Sequence, residues 1–537
     1  MGRFSLLLLI SGPLLHAQNP AVSLVVNAAS NLLPALPNGG IAQGALMTIY
    51  GTALGPPTLT VVPAYPIPTN LAGTSVRISS GGKSFDAPMY YTSSSQVAAI
   101  VPSTTPPGTG TVTVTYNGKV SPAAPITFVQ NNVGLYTVNS QGTGGAVVTF
   151  PDYNYLTPAN AANPGETVIL WANGLGPIPG DDAQLPVSAD MTSVPLEVLI
   201  GGKTATVLFH GRNSCCASLD QINVQIPAGV AGCITPIVLK IGTQISNTAT
   251  IPIAAYGRAC TSNDPATPDS LYQTLIGKNQ IVLGQIAMLR STILTMGSAG
   301  AINTTNQDSG SAFFFKYNAP YLSAGGNLID LPPPGSCTMT ISQFPGGTDT
   351  NVYLDAGPAI TINGPSGIKT YPKVISGAMI AYFPVELGFG FLDGGPYTAS
   401  GTGGPNVGSF SVGINYPKAF AWTNQGNQML VDRASGMKVN WTGGSPASLV
   451  QISGQTSVAA STASTVSARF DCWVKGSDGS FTIPPAVLLA MPATTPTSLG
   501  TLTVGTNDHM PFTATGVDRG LIYFGTAGLN LGIVTYR

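Results

Sequence analysis

Charged side chains are scarce in this chain of 537 residues. Asp, Glu, Lys and Arg together make up 8% of it, there are 3 histidines, and the formal net charge is -1. A chain of this charge lacks the basic surface that attracts nucleic acid or an anionic membrane. We therefore expect no nucleic-acid partner, and binding through neutral polar and aromatic contacts.

Signatures of metal and nucleophilic catalysis are also missing. The sequence contains no His-Glu-x-x-His, Cys-x-x-Cys, Gly-x-Ser-x-Gly or Gly-x-x-x-x-Gly-Lys-Ser/Thr pattern, which are the spacings that such metal, nucleophile and phosphate sites use. His210 and His509 lie far apart, and we expect each to have a surface or hydrogen-bonded structural role. We predict no catalytic residue, no metal and no cofactor.

Glutamate is rare, which limits the acid–base chemistry available. Paired carboxylates catalyse glycoside hydrolysis, so an extracellular carbohydrate-active hydrolase with carboxylates in the C-terminal region is the alternative function. The candidate carboxylates are Glu166, Glu197, Glu386, Asp355, Asp393 and Asp432. The three aspartates lie near turns, where local backbone hydrogen bonds favour aspartate without any catalytic role.

Long apolar runs are missing beyond the first residues. Arg3, the apolar residues 4–15 and the small residue Ala17 follow the pattern of a secretory signal peptide. The run is shorter than the roughly 20 residues that a membrane span needs. We predict a signal peptide over residues 1–17, cleaved near Ala17, and a secreted protein without a transmembrane span.

Glycine and proline, by contrast, are plentiful. The chain has 65 Gly and 45 Pro, yet 43% of its residues are hydrophobic, so it has enough apolar side chains for packed cores. Short strands joined by Gly/Pro turns fit this composition. The length exceeds what one core usually supports. We predict an all-β protein of several domains.

One stretch, residues 220–227 (Asp-Gln-Ile-Asn-Val-Gln-Ile-Pro), alternates polar and apolar side chains. This period of two is typical of a half-buried strand that ends at Pro227. Residues 96–102 have the same pattern. Leu-Gly-Pro at 54–56 and 175–177, and Gly-Gly at 81–82 and 201–202, repeat with nearly the same offset. The sequence therefore predicts two copies of one unit, residues 18–130 and 131–256, each with the seven or so strands of an immunoglobulin-like sandwich.

These residues also carry a family resemblance. The strand followed by Gly-x-x-Leu-Gly, the Gly-Gly hairpin and the strand that ends in proline resemble immunoglobulin-like domains of the IPT/TIG kind. Residues 219–227 with Ser246-Asn247 are similar to a repeated domain of secreted acidobacterial proteins, an uncharacterised family. The first unit departs from it, with Ala98-Ala99 in place of Asn223-Val224. The resemblance implies a fold and an extracellular location, and it brings no catalytic motif.

Six cysteines in an exported chain indicate disulfides. The strand after Cys233 begins near the end of the last strand of the unit, just before Cys260, so we predict a Cys233–Cys260 bridge. Cys215 and Cys216 then form a vicinal bridge; alternatively, one of them pairs with Cys233. Cys337–Cys472 follows by elimination. The second unit differs from the first by the cysteine-bearing loop 211–219, which is where a specialised site of the repeat is expected.

The rest of the chain again has the pattern of strands. We predict a linker over residues 257–267, a short helix at 269–276, and a larger β-sandwich region over 268–537 whose division near Asn424 is left open. Gly, Pro and Asn punctuate this region every 8–15 residues or so, which indicates short strands.

Tryptophan offers the clearest route to a ligand. Aromatic rings stack on the apolar faces of sugars, and we take Trp441, with Trp422 and Trp473, as the ligand-binding candidates. We interpret Trp171 as an inward-facing core residue. The resulting hypothesis is a secreted, non-enzymatic protein in which immunoglobulin-like units act as a spacer and the C-terminal region binds an extracellular glycan or protein surface. A self-assembling structural matrix protein that uses exposed strand edges is a further alternative.

Overall fold

The computed structural model describes residues 18–185, 188–297, 300–318, 330–342, 351–417, 420–461 and 464–537. Nearly all of its regular structure is β-strand, so the predicted all-β fold class is confirmed. No helix among these residues has the length and apolar character to cross a membrane.

The first unit is a two-sheet sandwich. Its sheets have the orders β1-β3-β9-β8-β4 and β2-β12-β10-β6-β5, with β11 on β10 and β7 on β6. The alternating side chains of both sheets meet in one core that includes Met47, Ile49, Val76 and Val97. Its strands are β1 Ala21–Asn27, β2 Ile41–Ala42, β3 Leu46–Thr52, β4 Thr60–Val61, β5 Asn70–Leu71, β6 Thr74–Ser80, β7 Lys83–Asp86, β8 Met89–Thr92, β9 Gln96–Ile100, β10 Gly108–Tyr116, β11 Lys119–Val120 and β12 Ala124–Val129.

The second unit repeats this plan. Its sheets are β13-β15-β20-β19-β16, with β14 on β15, and β18-β17-β21-β22, with β23 on β21. The predicted key strand is β20, and it pairs with β15 so that Gln221 lies opposite Trp171. Its strands are β13 Gly134–Leu135, β14 Val148–Thr149, β15 Thr167–Asn173, β16 Ala189–Asp190, β17 Leu196–Ile200, β18 Lys203–Thr204, β19 Thr206–Arg212, β20 Asp220–Gln225, β21 Gly232–Ile241, β22 Gln244–Ile245 and β23 Ala249–Ile253.

The repeated Gly-Gly pairs form the expected hairpin turns. Gly81 and Gly82 have φ of +57° and +72°, and Gly201 and Gly202 have φ of +58° and +77°. Two successive positive φ values are what a tight two-residue hairpin requires.

The described part of the C-terminal region contains two α-helices and eighteen further strands. The helices are α1 Asp269–Ile276, as predicted, and α2 Pro485–Leu489. The strands are β24 Gln280–Met296, β25 Ile302–Asn318, β26 Ser336–Ser342, β27 Val352–Tyr353, β28 Ala359–Gly364, β29 Gly367–Ser376, β30 Met379–Tyr382, β31 Gly395–Gly401, β32 Phe410–Tyr416, β33 Phe420–Trp422, β34 Leu430–Val431, β35 Met437–Gly443, β36 Leu449–Ser461, β37 Ser464–Lys475, β38 Ser480–Ile483, β39 Gly500–Thr506, β40 Asp508–Phe512 and β41 Arg519–Tyr536.

Three of these strands are far longer than the expected short ones. β24 and β25 have 17 residues each and pair without a register shift, and β41, with 18 residues, runs parallel to β24. The glycines of β41 resemble turn residues in the sequence, but Gly520 and Gly525 allow close backbone approach between strands. A Cβ atom at Gly525, for example, would collide with the carbonyl oxygen of Thr506 on the neighbouring strand. The prediction of short strands throughout is therefore wrong here.

A single sheet connects two hydrophobic cores in this region. Its order is β26-β37-β36-β39-β41-β24-β25-β30-β29-β28-β31-β32. One core includes Ile286, Phe314 and Phe410, and the other includes Trp441, Phe470 and Val534. Because β41 contributes to both cores, the sheet continues from one to the other, and a domain division near Asn424 stays a prediction.

Three disulfides join Cys215 to Cys216, Cys233 to Cys260 and Cys337 to Cys472. The structure therefore contains the vicinal Cys215–Cys216 bridge, and neither of these cysteines pairs with Cys233. Residues 257–267 have no helix or strand, as expected of a linker, but Asp264 within them is buried and paired with Arg519. This segment is therefore anchored to β41.

The two immunoglobulin-like units meet through buried polar contacts. The Asn173 side chain donates to Asn27 Oδ1 at 3.1 Å, and its own oxygen accepts from the Leu46 backbone N–H at 2.9 Å. The units also lie against the C-terminal region. Leu32, Leu33 and Leu36 pack on Val466 of β37, and Ile245 packs on α2.

Candidate functional site

An open cleft lies on the outer face of the second unit. We call it the aromatic cleft. Its volume is about 600 Å³, within the range of small-molecule sites. It is lined by Tyr136, Thr137, Ser140, Val147, Tyr153, Tyr155, Trp171, Asn213, Cys215 and Leu219.

Strand alternation places Trp171 on this face. Val168, Leu170 and Ala172 of β15 point into the core of the unit, so Trp171 must point the other way. Its side chain is half-buried. The interpretation of Trp171 as a core residue is therefore wrong, because the period of two was applied to the wrong face of the strand.

Two tyrosines from the segment between β14 and β15 complete an aromatic surface. The ring of Tyr153 stacks on Trp171, with centroids 6.2 Å apart and planes inclined by 26°. Tyr153 and Tyr155 remain 59% and 64% exposed. Tyr153 also has φ of +67°, an unfavourable conformation for a bulky residue. Strained, exposed aromatic residues of this kind concentrate at functional sites.

Hydrogen bonds fix the orientation of the tryptophan. Its indole N–H donates to Thr149 Oγ1 at 3.2 Å. Tyr153 sits in a tight turn, where its backbone N–H donates to the Phe150 carbonyl at 2.9 Å. The aromatic pair is thus held in place before any ligand binds.

A row of amides lies beside the rings, on the polar face of β20. Asn213 donates through Nδ2 to Gln221 Oε1 at 2.6 Å, and Gln221 donates through Nε2 to Asn223 Oδ1 at 2.9 Å. Since Gln221 is opposite Trp171 in the sheet, the row and the indole are neighbours. Amides offer both donors and acceptors, which suits recognition of hydroxyl groups.

A buried ion pair supports the loop between β19 and β20. Arg212 Nε and Asp220 Oδ1 are 2.9 Å apart, with side chains 1% and 0% exposed. The other Asp220 oxygen accepts from the backbone N–H groups of Gly174 and Leu175. Both ends of the loop are therefore fixed beneath the cleft.

The cleft itself is neutral. None of its ten lining residues carries a formal charge at neutral pH. Burial and, to a smaller extent, the nearby Asp220 carboxylate raise the pKa of the Tyr136 phenol well above its usual value. Its hydroxyl therefore stays protonated and can donate a hydrogen bond.

The three tryptophans predicted to bind ligand lie elsewhere and are buried. Trp422, Trp441 and Trp473 are 6%, 3% and 7% exposed. Trp422 and Trp441 face each other in β33 and β35, and each indole N–H has a partner, Asn424 Oδ1 and the Gly476 carbonyl. The prediction of Trp441 as an exposed aromatic is wrong, because its strand is covered by the second core of the C-terminal region.

Five of the six candidate catalytic carboxylates have local structural partners, and the sixth, Glu386, is exposed. Salt bridges join Glu166 to Arg258, Glu197 to Lys240, Asp355 to Lys373 and Asp393 to Arg290. Asp432 accepts from Ala434 N–H and Ser435 Oγ. Hydrogen bonding to Arg258 lowers the pKa of Glu166, the direction that disfavours a general acid.

The histidines have structural partners, in agreement with the sequence-based expectation. His210 Nε2 lies 3.0 Å from the Val194 carbonyl oxygen, and His509 Nδ1 lies 3.2 Å from Asp264 Oδ1. Both side chains are largely buried.

Sequence reasoning missed Tyr153 and Tyr155. Their signal was weak but present: two aromatic residues, two positions apart, in a Pro/Asp/Asn-rich loop, where a large apolar side chain has no core to fill. The cysteine-bearing loop was noticed, and it contributes Asn213, Cys215 and Leu219 to the cleft.

No protein-family model matches this chain, and no curated protein matches it. Three solved structures with some likeness to the chain have low identity and low TM-scores. The plexin A4 extracellular region is 12% identical over 47% of this chain, which spans 20% of that chain, with a TM-score of 0.17. A tetra-tandem repeat of a large adhesion protein is 12% identical over 95% of this chain and 99% of its own, with a TM-score of 0.14. Titin Ig tandem domains A164-A165 are 13% identical over 40% of this chain and 90% of their own, with a TM-score of 0.11. These likenesses concern the fold alone.

Proposed function

We propose that this chain is an extracellular, non-enzymatic binding protein whose ligand site is the aromatic cleft, and that the ligand is a neutral glycan. The observation that carries the proposal is the stacked pair of the exposed Tyr153 and the half-buried Trp171, which lies beside uncharged polar side chains.

The chemistry of the cleft suits a sugar. Aromatic rings bind the apolar CH faces of a pyranose and remove poorly hydrated surface from water. The amides of Asn213 and Gln221 and the phenol of Tyr136 supply donors and acceptors for hydroxyl groups. An ionic ligand would find no charged partner among the lining residues.

The compartment supports the same role. Three disulfides are typical of secreted and cell-surface proteins, and residues 1–17 have the pattern of a signal peptide. Neutral, aromatic-lined surfaces on rigid β-sandwiches are well suited to durable extracellular adhesion, because their binding depends little on ionic strength.

The proposal replaces the expectation that the immunoglobulin-like units are only spacers. The second unit carries the cleft. The C-terminal region then serves as a platform against which both units pack through Leu32, Leu36 and Ile245.

A glycan array is the direct experiment, run beside a panel of hydrolase substrates. The full secreted chain should bind neutral oligosaccharides and release no reducing ends. Turnover of any polymer would favour the hydrolase alternative. Two carboxylates must flank a scissile bond for that chemistry, whereas the aromatic cleft has none, and the cleft of about 680 Å³ beside Tyr416 has one, Asp508.

One observation favours self-assembly as a second candidate. Between Ile302 and Ser311, β25 pairs with β24 on one side, and no other described strand joins it until Ala312 pairs with β30. Residues 302–307 (Ile-Asn-Thr-Thr-Asn-Gln) are exposed and uncharged, without the Lys, Pro or bulge that usually protects a strand edge.

Light scattering tests this second candidate. A concentration-dependent dimer or fibre that Thr304→Lys abolishes would support assembly through this edge, because a charge there opposes strand addition. A chain that stays monomeric at all accessible concentrations would reject it.

A further inference from the structure

A vicinal disulfide forms part of the aromatic cleft. Cys215 lines the cleft and is bonded to Cys216. Cys215 is exposed and Cys216 is partly buried, whereas both cysteines of each other bridge are buried. Among the three bridges, this one alone is open to solvent and to whatever occupies the cleft.

The loop that carries the disulfide is held on both sides. The Ala217 N–H donates to the Tyr65 hydroxyl at 2.8 Å, and Ser218 Oγ donates to the Gly44 carbonyl at 2.9 Å. The Cys215 N–H donates to Asn213 Oδ1 at 2.6 Å. The disulfide is therefore the covalent part of a loop whose flanks are already fixed to the first unit and to the amide row.

The Cys215–Cys216 disulfide should stabilise the folded state much less than a bridge between residues far apart in the sequence would. It joins adjacent residues, with a sequence separation of 1, so it closes almost no chain loop in the unfolded state, and loop closure is the main source of disulfide stabilisation. Its local effect is to lock the backbone of two residues at the edge of the cleft. A purpose at the cleft explains it better than global stability does.

We propose that the Cys215–Cys216 disulfide is a ligand-contacting wall of the aromatic cleft, and that its reduction by an extracellular dithiol weakens glycan binding. This inference rests on the proposed function. Disulfide sulfurs are polarisable and accept hydrogen bonds only weakly, so the bridge offers an apolar surface to the CH groups of a sugar whose other face lies on an aromatic ring.

The reduction is a thiol–disulfide exchange. One thiolate of the dithiol attacks a cysteine sulfur, the bond between Cys215 and Cys216 breaks, and a mixed disulfide forms. The partner cysteine leaves as a thiolate, and the second dithiol sulfur then attacks the dithiol sulfur of the mixed disulfide and displaces the cysteine that was attacked first. Two electrons and two protons pass to the cysteines, which become two thiols, and the dithiol becomes a disulfide. The S–S bond of about 2.0 Å is then lost. The two sulfurs separate to a non-bonded distance, which alters the shape of the cleft wall that they form.

The experiment uses the full chain and an array of neutral oligosaccharides as the probe. Binding is measured before and after mild treatment with dithiothreitol, with alkylation and peptide mapping to establish that only Cys215 and Cys216 have been reduced. The double variant Cys215→Ala, Cys216→Ala removes the same disulfide without a reductant. Trp171→Ala tests the cleft itself, and Tyr256→Ala, at a 91% exposed tyrosine that does not line the cleft, is the control.

We expect reduction and the double alanine variant each to weaken binding about tenfold, with the melting temperature nearly unchanged and Tyr256→Ala without effect. Binding that Trp171→Ala abolishes but that reduction and the double variant leave intact would overturn the inference and leave the proposed function standing. Binding that Trp171→Ala does not affect, or no binding to any neutral oligosaccharide, would overturn the proposed function and the inference together.

Discussion

Tyr153 lies on Trp171 with ring centroids 6.2 Å apart, and yet 59% of Tyr153 remains exposed. Stacking of this kind usually buries both partners in a core. Here the pair sits at the rim of a cleft, oriented by the Thr149 hydroxyl and by a tight turn with positive φ at Tyr153. The arrangement leaves an aromatic surface open to a ligand, which is why the proposed function is placed there.

The buried ion pair beneath the cleft should be important for stability. Asp220→Asn leaves the Arg212 guanidinium without its charge partner at 1% exposure, and breaking such a pair costs about 3–5 kcal/mol. The free energy of unfolding from urea titration is the measurement. The matched control is Asp86→Asn, whose pair with Arg77 is 61% exposed on both sides and should be worth about 0–1 kcal/mol. Equal effects of the two substitutions would contradict this account of the loop.

Asp330 should make stability depend on pH. Burial raises the pKa of its carboxyl to about 6, and its Oδ2 has no hydrogen-bond partner among the described residues. The folded state therefore holds this proton more tightly than the unfolded state does. The protonated carboxyl contributes to the free energy of unfolding at low pH. This contribution, on the order of 2–3 kcal/mol, is lost as the pH rises from about 4 to about 6.

Asp330→Asn removes this titration and keeps the Oδ1 acceptor for Ser262 and Asn263. Melting temperatures at pH 4.5 and pH 7 check the prediction. The melting temperature of Asp330→Asn, relative to that of the natural protein, should be higher at pH 7 than at pH 4.5. Asp269→Asn, in the first turn of α1, is the control. A constant difference between Asp330→Asn and the natural protein at both pH values would contradict the prediction.

Trp441 and Trp171 should respond to substitution in opposite ways. Trp441→Phe removes a buried indole and its hydrogen bond to the Gly476 carbonyl, which should lower the free energy of unfolding by about 1–3 kcal/mol without affecting glycan binding. Trp171→Phe, in the open cleft, should alter binding more than stability. Chemical denaturation and array binding of both variants provide the comparison, and loss of binding in a folded Trp441→Phe variant would restore the C-terminal region as the binding module.

Much of the fold was predictable because local rules agree with it. The alternation of β20, the Gly-Gly turns and Pro268 before α1 each specify an element through short-range chemistry. The long strands β24 and β41 were not predictable in the same way. Gly520 and Gly525 of β41 avoid collisions with backbone atoms of Phe512 and Thr506 on the paired strands, and a single sequence does not reveal which strands pair.

The site was harder to predict than the fold. A period of two determines which residues share a face but not which face is the core, and that choice placed Trp171 on the wrong side. Burial of Trp441 depends on pairing with β33 and β38, which is not encoded locally. The cysteine-bearing loop could be singled out from the sequence, because comparison of the two units shows that the first unit lacks it.

The most direct test of the aromatic cleft is the affinity of purified full-length variants for the oligosaccharide that the natural protein binds best on the array, measured by calorimetry. Trp171→Ala should weaken binding about 10- to 100-fold, as loss of a central aromatic contact does, with the fold preserved by far-ultraviolet circular dichroism. Tyr256→Ala should bind as the natural protein does. Unchanged affinity in the folded Trp171→Ala variant would show that the aromatic cleft is not the binding site.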